Sequence, residues 1–312
     1  GIAELEQLYY AGAPTSKSHI TSYLKTLEGS ISELLLRLNA LGKNRYAMLP
    51  ERMHNIFSGI TSLSTISLPA SLALVVPLSS LRAGDEVYAG SKACNLGILR
   101  GTLAITVPDG FAVTAGAFIQ FIEDTGLRPL LEPELGEVDA SDLARGEAAC
   151  TRIGDAILQA PVPALLAEKI LGAYEALEGR TRPGVRVAVR SSAIGEDTAA
   201  SFAGQYHTEL NVTRSGLLDA YRKVLASKYS LRAVMYRLRF GLDDEDTPMC
   251  VACIAMVDST ASGVAYTVDP DSPSSGQMRV AAVTGLAELL VSGEVTPDTF
   301  FLDRASSGLS SW

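Results

Sequence analysis

Apolar residues near the start of the chain recur at three- and four-residue steps, the spacing that places them on one face of a helix. The pattern predicts a helix between Ser18 and Gly42 and a weaker one from Pro50 to Ile60. The first stripe consists of Ile20, Leu24, Leu27, Ile31, Leu34, Leu35 and Leu38. Such a stripe is typical of a packing surface. We therefore expect residues 1–75 to form a helical extension that ends in the Ser-, Leu- and Pro-rich stretch from Ser62 to Pro77.

From Val76 onward helical and strand patterns alternate, which predicts an α/β (α+β) domain over residues 76–312. Expected helices cover residues 91–99, 115–125, 148–158, 163–177 and 215–240, and expected strands cover 110–114, 185–190, 250–257, 263–267, 280–284 and 299–303. The acidic segment from Glu132 to Gly146 is predicted as a solvated loop.

The most informative segment is the strand that leads to Arg190. Valines alternate with other residues there, which predicts one apolar face and arginines on the other. The alternating positions are Val185, Val187 and Val189 against Arg186, Ala188 and Arg190. We place Arg190 at the carboxyl end of the strand, where open α/β sheets usually bind ligands.

Arg190 and the residues after it suit a polyphosphate. A guanidinium offers two parallel donors, which match two phosphate oxygens better than an ammonium does. Ser191 and Ser192 add hydroxyl donors, and the small residues from Ser201 to Gly204 allow backbone N–H groups to approach an anion closely. The alternative is a surface hairpin with an ordinary exposed arginine.

Three further segments carry candidate chemistry. Gly90 and Ser91 at a helix start offer N–H donors, and Lys92 just inside can reach an anion, although the spacing is not that of a Walker P-loop. Met256 comes where two strands are joined by a polar turn and could lie against an adenine ring; a core methionine is the alternative. Glu288 follows a glycine turn and could hold Mg²⁺, which prefers one or two carboxylates plus phosphates; an exposed glutamate is the alternative.

Composition limits the class of partner. The 312 residues carry a net charge of −9, which argues against a general nucleic-acid binder, because such proteins depend on clustered Lys and Arg. No apolar run reaches ~18 residues without a charge or breaker, so we expect no membrane span and a cytoplasmic setting. We expect Cys94, Cys150, Cys250 and Cys253 to be buried free thiols, because no histidine cluster accompanies the C-x-x-C pair.

Five motifs in a fixed order carry a resemblance to a known family. They are GSKACNLG at residues 90–97, VPDGFAVT at 107–114, VRSSA at 189–193, SFAGQ at 201–205 and VSGEVTPD at 291–298. Their order and wording resemble the N-terminal ATP-binding domain shared by phosphoenolpyruvate synthase, pyruvate phosphate dikinase and rifamycin phosphotransferase. The resemblance covers roughly residues 76–304.

The resemblance implies an ATP-grasp-like fold, a nucleotide clamp with subdomains at about residues 76–190 and 191–312, and the cofactors ATP and Mg²⁺. Lys92 and Arg190 would bind the phosphates and act as the catalytic residues, because phosphoryl transfer mainly needs positioning and charge neutralisation. The implied loop over the phosphates contains Ser201, Ala203, Gly204 and Gln205, and the implied Mg²⁺ ligand is Glu288.

Members of that family pass the β-phosphate of ATP to a histidine on a swivelling domain, which then phosphorylates pyruvate or another acceptor. None of His19, His54 and His207 has the glycine- and threonine-containing context of that histidine. The resemblance therefore implies that a phosphohistidine domain and a phosphoenolpyruvate- or pyruvate-binding domain lie outside this chain. We expect the chain to be part of a longer protein or of a split system.

The chain also departs from the family pattern. Ser91, Ala93 and Ala287 stand where the family has glycines, and Ile254 replaces a polar residue shortly before Met256. These changes motivate a second hypothesis, a catalytically degenerate module that senses nucleotides. A third is a scaffold without a ligand, whose helical extension would be the working part.

Overall fold

The chain forms two compact units, Gly1–Met256 and Val257–Trp312. The computed structural model describes residues 17–64, 73–101, 105–139, 141–192, 206–240, 242–304 and 309–311. Helices and antiparallel strands occur together, which confirms the mixed α+β class. The subdomain boundary expected near residue 190 lies within a strand of the first unit.

The helices begin with the two predicted in the N-terminal segment. These are α1 (Lys17–Leu41) and α2 (Leu49–Ser64). They are followed by α3 (Glu86–Ala89), α4 (Ser91–Gly101), α5 (Ala115–Asp124), α6 (Arg128–Gly136), α7 (Leu143–Gln159), α8 (Ala164–Arg180), α9 (Leu217–Ser227) and α10 (Leu231–Arg239). The described part of the second unit contains α11 (Glu288–Ser292).

Five strands form the sheet of the first unit, in the order β1-β2-β5-β3-β4 with every neighbouring pair antiparallel. They are β1 (Val75–Pro77), β2 (Gly110–Val113), β3 (Val187–Ser191), β4 (Thr208–Val212) and β5 (Val251–Ala255). The second unit has its own antiparallel sheet of β6 (Ala261–Tyr266), β7 (Gln277–Thr284), β8 (Asp298–Asp303) and β9 (Leu309–Ser311).

The alternation along β3 has the predicted consequence. Val185, Val187 and Val189 are buried in the main core, together with apolar residues of α5, α7, α8 and α9. The opposite face of the sheet carries a smaller apolar cluster, in which Ala112 and Ala252 pack against residues of α3 and α4. Because side chains alternate across a strand, this second face is also the one toward which Arg190 projects.

A glycine allows α4 to approach the segment that follows β1. A Cβ atom at Gly97 would lie 2.6 Å from the Leu78 carbonyl oxygen and 2.9 Å from the Leu81 Cβ. Real side chains do not tolerate such contacts, so any larger residue would push the helix away from the segment that follows β1. The position of α4, and with it that of Lys92, therefore depends on this close packing.

The acidic segment was expected to be a loop, and this is wrong at both of its ends. The segment includes the end of α6 and the start of α7, and Val138 between them is buried. Arg152 of the following helix donates from Nε to Glu134 at 2.8 Å. This ion pair with an arginine 18 residues further along the chain reduces the repulsion between the carboxylates. A local count of acidic residues does not reveal such a partner.

The single helix expected over residues 215–240 is also wrong, because it breaks at residues 228–230. Ser230 caps α10 by accepting the N–H of Ala233 at 3.3 Å. Lys228, in this break, is fully buried. Its Nζ donates to the Asp244 carbonyl at 3.0 Å and also pairs with the Asp244 carboxylate. Arg237 donates to the Lys228 carbonyl at 2.7 Å. Burial lowers the pKa of Lys228 to about 8, against the opposing effect of Asp244.

All four cysteines are free and buried, as expected. Burial raises the pKa of Cys250 and Cys253 well above the ordinary thiol value, and raises that of Cys94 to about 11. Thiols in this state are protonated near neutral pH and therefore behave as small apolar side chains.

Within the described residues, no individual helix has both the length and the apolar character to cross a membrane, and only the bent pair α7 and α8 reaches those limits when taken together.

Candidate functional site

Helix α4 presents one face to a cavity next to the sheet. Lys92, Asn95, Leu96 and Leu99 lie at intervals of three, one and three residues, so they share one side of the helix. Lys92 is in the first turn, where the helix dipole favours an anion.

Arg190 comes to the same cavity from the sheet. It is exposed, it pairs in register with Ala252 of β5, and it projects on the side where α4 packs. Within the described ranges, the Arg190 guanidinium has no ion-pair partner. A cation without a protein counter-charge, at the side of a cavity, is suited to bind an anionic ligand.

The cavity has a volume of about 350 Å³. Its lining consists of Lys92, Asn95, Leu96, Leu99, Arg190, Ser191, Ala252 and Ile254. Two cationic residues and two uncharged polar residues thus share the lining with four apolar residues, and none of these lining residues is acidic. The arrangement can bind an anionic group next to an apolar one. Ile254, one of the departures from the family pattern, lies in this lining.

The topology of the sheet does not by itself place a ligand at the end of β3. We expected it from the rule for open α/β sheets, which applies to parallel strands. The strands are antiparallel, so their carboxyl ends do not meet at one edge. The site is instead formed by α4 packing on the face of the sheet that carries Arg190.

The proposed phosphate-covering loop connects two neighbouring strands at this site. Arg190 of β3 pairs with Thr208 of β4, so the connection between them leaves and returns beside Arg190. Ser201, Ala203, Gly204 and Gln205 of that connection lie outside the described residues.

Asp109 supports the far end of α4 and was not singled out from the sequence. Its carboxylate accepts the N–H of Gly110 at 2.7 Å and the Nε of Arg180 at 2.9 Å, and it lies 3.2 Å from Arg100 Nη1. Burial alone would raise the pKa of Asp109, but these hydrogen bonds and charges together lower it below the ordinary value. Since Arg100 lies in the last turn of α4 and Arg180 ends α8, the carboxylate joins two helices to the start of β2.

Met256 does not line the described cavity. It ends the first unit, where its N–H donates to the Arg186 carbonyl at 2.8 Å. Strand β5 ends just before Met256 and β6 follows it, and the two strands belong to different sheets. Its part in nucleotide binding stays a prediction.

Glu288 is exposed at the first position of α11, in the second unit. Gly285 before it has φ of 76°, as expected for a glycine turn. No group of three or more metal-ligating side chains occurs in the part of the chain that the structure describes. A single carboxylate fits Mg²⁺ only when phosphate oxygens supply further ligands.

Comparison with known protein families identifies the family of this chain. The family described as the pyruvate phosphate dikinase AMP/ATP-binding domain matches residues 86–311. The chain belongs to this family. The matched range contains Lys92 and Arg190 and extends from the first compact unit into the second.

Curated relatives of this AMP/ATP-binding domain are phosphoenolpyruvate synthases. The probable phosphoenolpyruvate synthase of Methanothermobacter thermautotrophicus is 38% identical over 72% of this chain and 33% of its own length. The enzymes of Aquifex aeolicus and Pseudomonas aeruginosa are 36% and 34% identical, over 76% and 74% of this chain and 29% and 30% of their own lengths. The chain therefore spans about a third or less of these relatives.

Asn95, Leu96 and Leu99 were not proposed as site residues from the sequence. Their spacing from Lys92 places them on its side of the helix, and this signal was available once the helix was assigned. Ala252 and Ile254 could not be found in that way, because their part in the site depends on the pairing of β3 with β5.

Proposed function

We propose that the cavity between α4 and the sheet binds the phosphates of ATP through Lys92 and Arg190. The observation that carries this proposal is that two cations, far apart in the sequence and on different elements, line one cavity without an acidic residue in its lining. Membership of an AMP/ATP-binding domain family supports the choice of nucleotide. Phosphates are held well by such a pair, because arginine matches two oxygens and lysine adds a point charge.

We propose that the domain begins near residue 76, that its fold is the ATP-grasp-like clamp, and that the loop of Ser201, Ala203, Gly204 and Gln205 covers the phosphates. The family match beginning at residue 86 supports the first point, and the origin of the loop beside Arg190 supports the last. Met256 remains the residue that we propose against the adenine ring. The cytoplasmic setting also stays a prediction.

Glu288 is the residue that we propose for Mg²⁺. Its exposed carboxylate can provide one ligand, and the phosphates of ATP would provide others. When bound, the ion would neutralise phosphate charge, which is a main requirement of phosphoryl transfer.

We propose further that the domain serves phosphate transfer of the phosphoenolpyruvate synthase type. The β-phosphate of ATP would pass to a histidine on a separate domain, with release of AMP, and the γ-phosphate would be transferred to water and leave as inorganic phosphate. The histidine would then phosphorylate pyruvate or a related acceptor. The names of the relatives and the fraction of their length that the chain spans support this, because about two thirds of each relative lies outside the match. No observation favours the sensing module over this function.

A chimera tests the transfer. The matching segment of the Pseudomonas aeruginosa relative is replaced by this chain, and AMP formation from ATP, Mg²⁺ and pyruvate is measured by chromatography. We expect AMP from the chimera, at least a hundredfold less from its Arg190→Ala variant, and an unchanged rate from Arg214→Ala, because Arg214 lies away from the cavity and pairs with Glu175.

Exchange of label between phosphoenolpyruvate and pyruvate is the internal control, because it needs the other domains but no ATP site. If exchange is normal and ATP binds, yet no AMP forms, the transfer proposal is wrong and the sensing module replaces it.

A further inference from the structure

Ser192 connects the two elements that carry the cations. It follows β3 directly, is completely buried, and its N–H donates to the Cys250 carbonyl at 2.8 Å. Its hydroxyl oxygen accepts the N–H of Ala93, in the first turn of α4, at 3.1 Å. One side chain therefore provides for α4 the acceptor that a capping residue usually supplies from the helix's own chain.

The residue before α4 is pressed against the same serine. Gly90 has φ of 77°, and a Cβ atom there would lie 1.5 Å from the Ser192 carbonyl oxygen and 2.5 Å from its Oγ. No other amino acid fits this contact in this conformation. Gly90 and Ala93 are thus both in contact with Ser192, and Lys92 lies between them.

We propose that Ser192 is a positioning residue that sets the placement of Lys92 relative to Arg190. Arg190 is two residues before Ser192 on β3, and Lys92 is held between two contacts to Ser192 on α4. The connection from Arg190 to Lys92 therefore passes through one buried residue, Ser192. This inference rests on the proposed function, because it concerns the two groups that we assign to phosphate binding. Nothing in the family motif by itself distinguishes Ser192 from Ser191, which lines the cavity.

A double-mutant cycle on ATP affinity tests the proposal. Ser192→Ala removes the acceptor, and we expect it to weaken ATP binding about tenfold, or ~1.4 kcal/mol. If Ser192 acts by placing Lys92, Ser192→Ala should cause little further loss in a protein that already carries Lys92→Ala. A merely structural role would not produce this coupling, since effects of independent sites add.

Two further variants keep the result interpretable. Ser192→Cys retains a side chain of similar shape with a weaker acceptor, so it should fold and still weaken binding. Thr114→Val removes the hydroxyl of another fully buried residue. That hydroxyl donates to the Ala73 carbonyl at 3.0 Å, and neither residue lines the cavity. We expect this control to lower the melting temperature and to leave the ATP affinity unchanged.

The outcomes separate the two proposals. If Lys92→Ala itself leaves ATP affinity unchanged, the proposed function fails and this inference fails with it. If Lys92→Ala weakens binding but the Ser192 variants bind ATP normally, or their effects add to that of Lys92→Ala, the positioning role alone is wrong.

Discussion

At the scale of the residue, two cationic side chains, Arg190 and Lys228, have opposite environments. Arg190 is exposed at the cavity with no ion-pair partner in the described ranges, whereas Lys228 is fully buried and hydrogen-bonded to Asp244. A buried ammonium is costly unless it is paired, so Lys228 is best explained as part of a closed network in the core. Arg190 instead lines the cavity together with Lys92, where it can bind an anionic ligand.

The Lys228 network leads to a prediction about pH. The folded pKa of about 8 lies below the ordinary value of 10.5, so the unfolded chain binds more protons between these values. The ionisation of Lys228 therefore destabilises the folded state most below pH 8. As the pH rises toward 10.5 this penalty disappears, and the free energy of unfolding increases. The Lys228→Met variant lacks this ionisation, so the stability difference between wild type and variant should grow between about pH 7 and pH 9.5.

Urea unfolding at the two pH values measures this difference. At pH 7 we expect the variant to be less stable by ~3–5 kcal/mol, because it leaves the carboxylate of Asp244 without its main partner. A difference that is the same at both pH values would mean that the pKa of Lys228 is not lowered.

Sequence reasoning worked well for residues whose environment is local. The alternation of Val185, Val187 and Val189 with Arg186 and Arg190 was enough to assign the two faces of β3. It did not find Ser192 or Asp109 as supports of the site. Their partners come from segments far away along the chain, and only strand pairing and helix packing bring them together.

At the scale of the element, α4 is held at both ends. Ser192 provides an acceptor at its start, and Asp109 pairs with Arg100 at its end. Asp109 also pairs with Arg180, so the carboxylate connects α4 with α8. We expect this attachment to contribute to the stability of the whole first unit.

Asp109→Asn tests that contribution. The lowered pKa of Asp109 means that its stabilising effect is complete above the ordinary pKa and is lost as the pH falls through the folded value. We expect a loss of ~1–2 kcal/mol at pH 7, because both arginines are partly exposed, and a smaller difference at pH 3. Chemical unfolding at both pH values measures it.

A matched control is Glu175→Gln, which removes an exposed partner of Arg214 and should change stability by less than ~0.5 kcal/mol. If Asp109→Asn is no more destabilising than this control, the carboxylate does not hold the helices.

Elements were predicted correctly where the apolar period was regular, and wrongly where a long-range contact ends a helix. Most helices and strands occur within a few residues of their expected bounds, as in α5, α8 and β2. The break between α9 and α10 depends on the burial of Lys228, and the helical character of the acidic segment depends on arginines such as Arg152. A local window of sequence contains neither contact.

At the scale of the whole molecule, the family match extends over both compact units, from residue 86 to 311. The motif order identified this family from the sequence, whereas the division after Met256 was not anticipated, because the segment around it reads as two strands joined by a turn. The two helices before residue 76 precede the match, and their role has no explanation in the described contacts of the site.

We propose that Lys92 and Arg190 together bind one polyphosphate. Calorimetry with ATP and with inorganic tripolyphosphate tests it on the wild type, Lys92→Ala, Arg190→Ala and the control Arg214→Ala. We predict that each cavity variant loses ~1.5–3 kcal/mol of binding free energy, about 10- to 150-fold in Kd, for both ligands, whereas the control is unchanged. Affinity for ATP that is the same in Arg190→Ala as in the wild type would contradict the account.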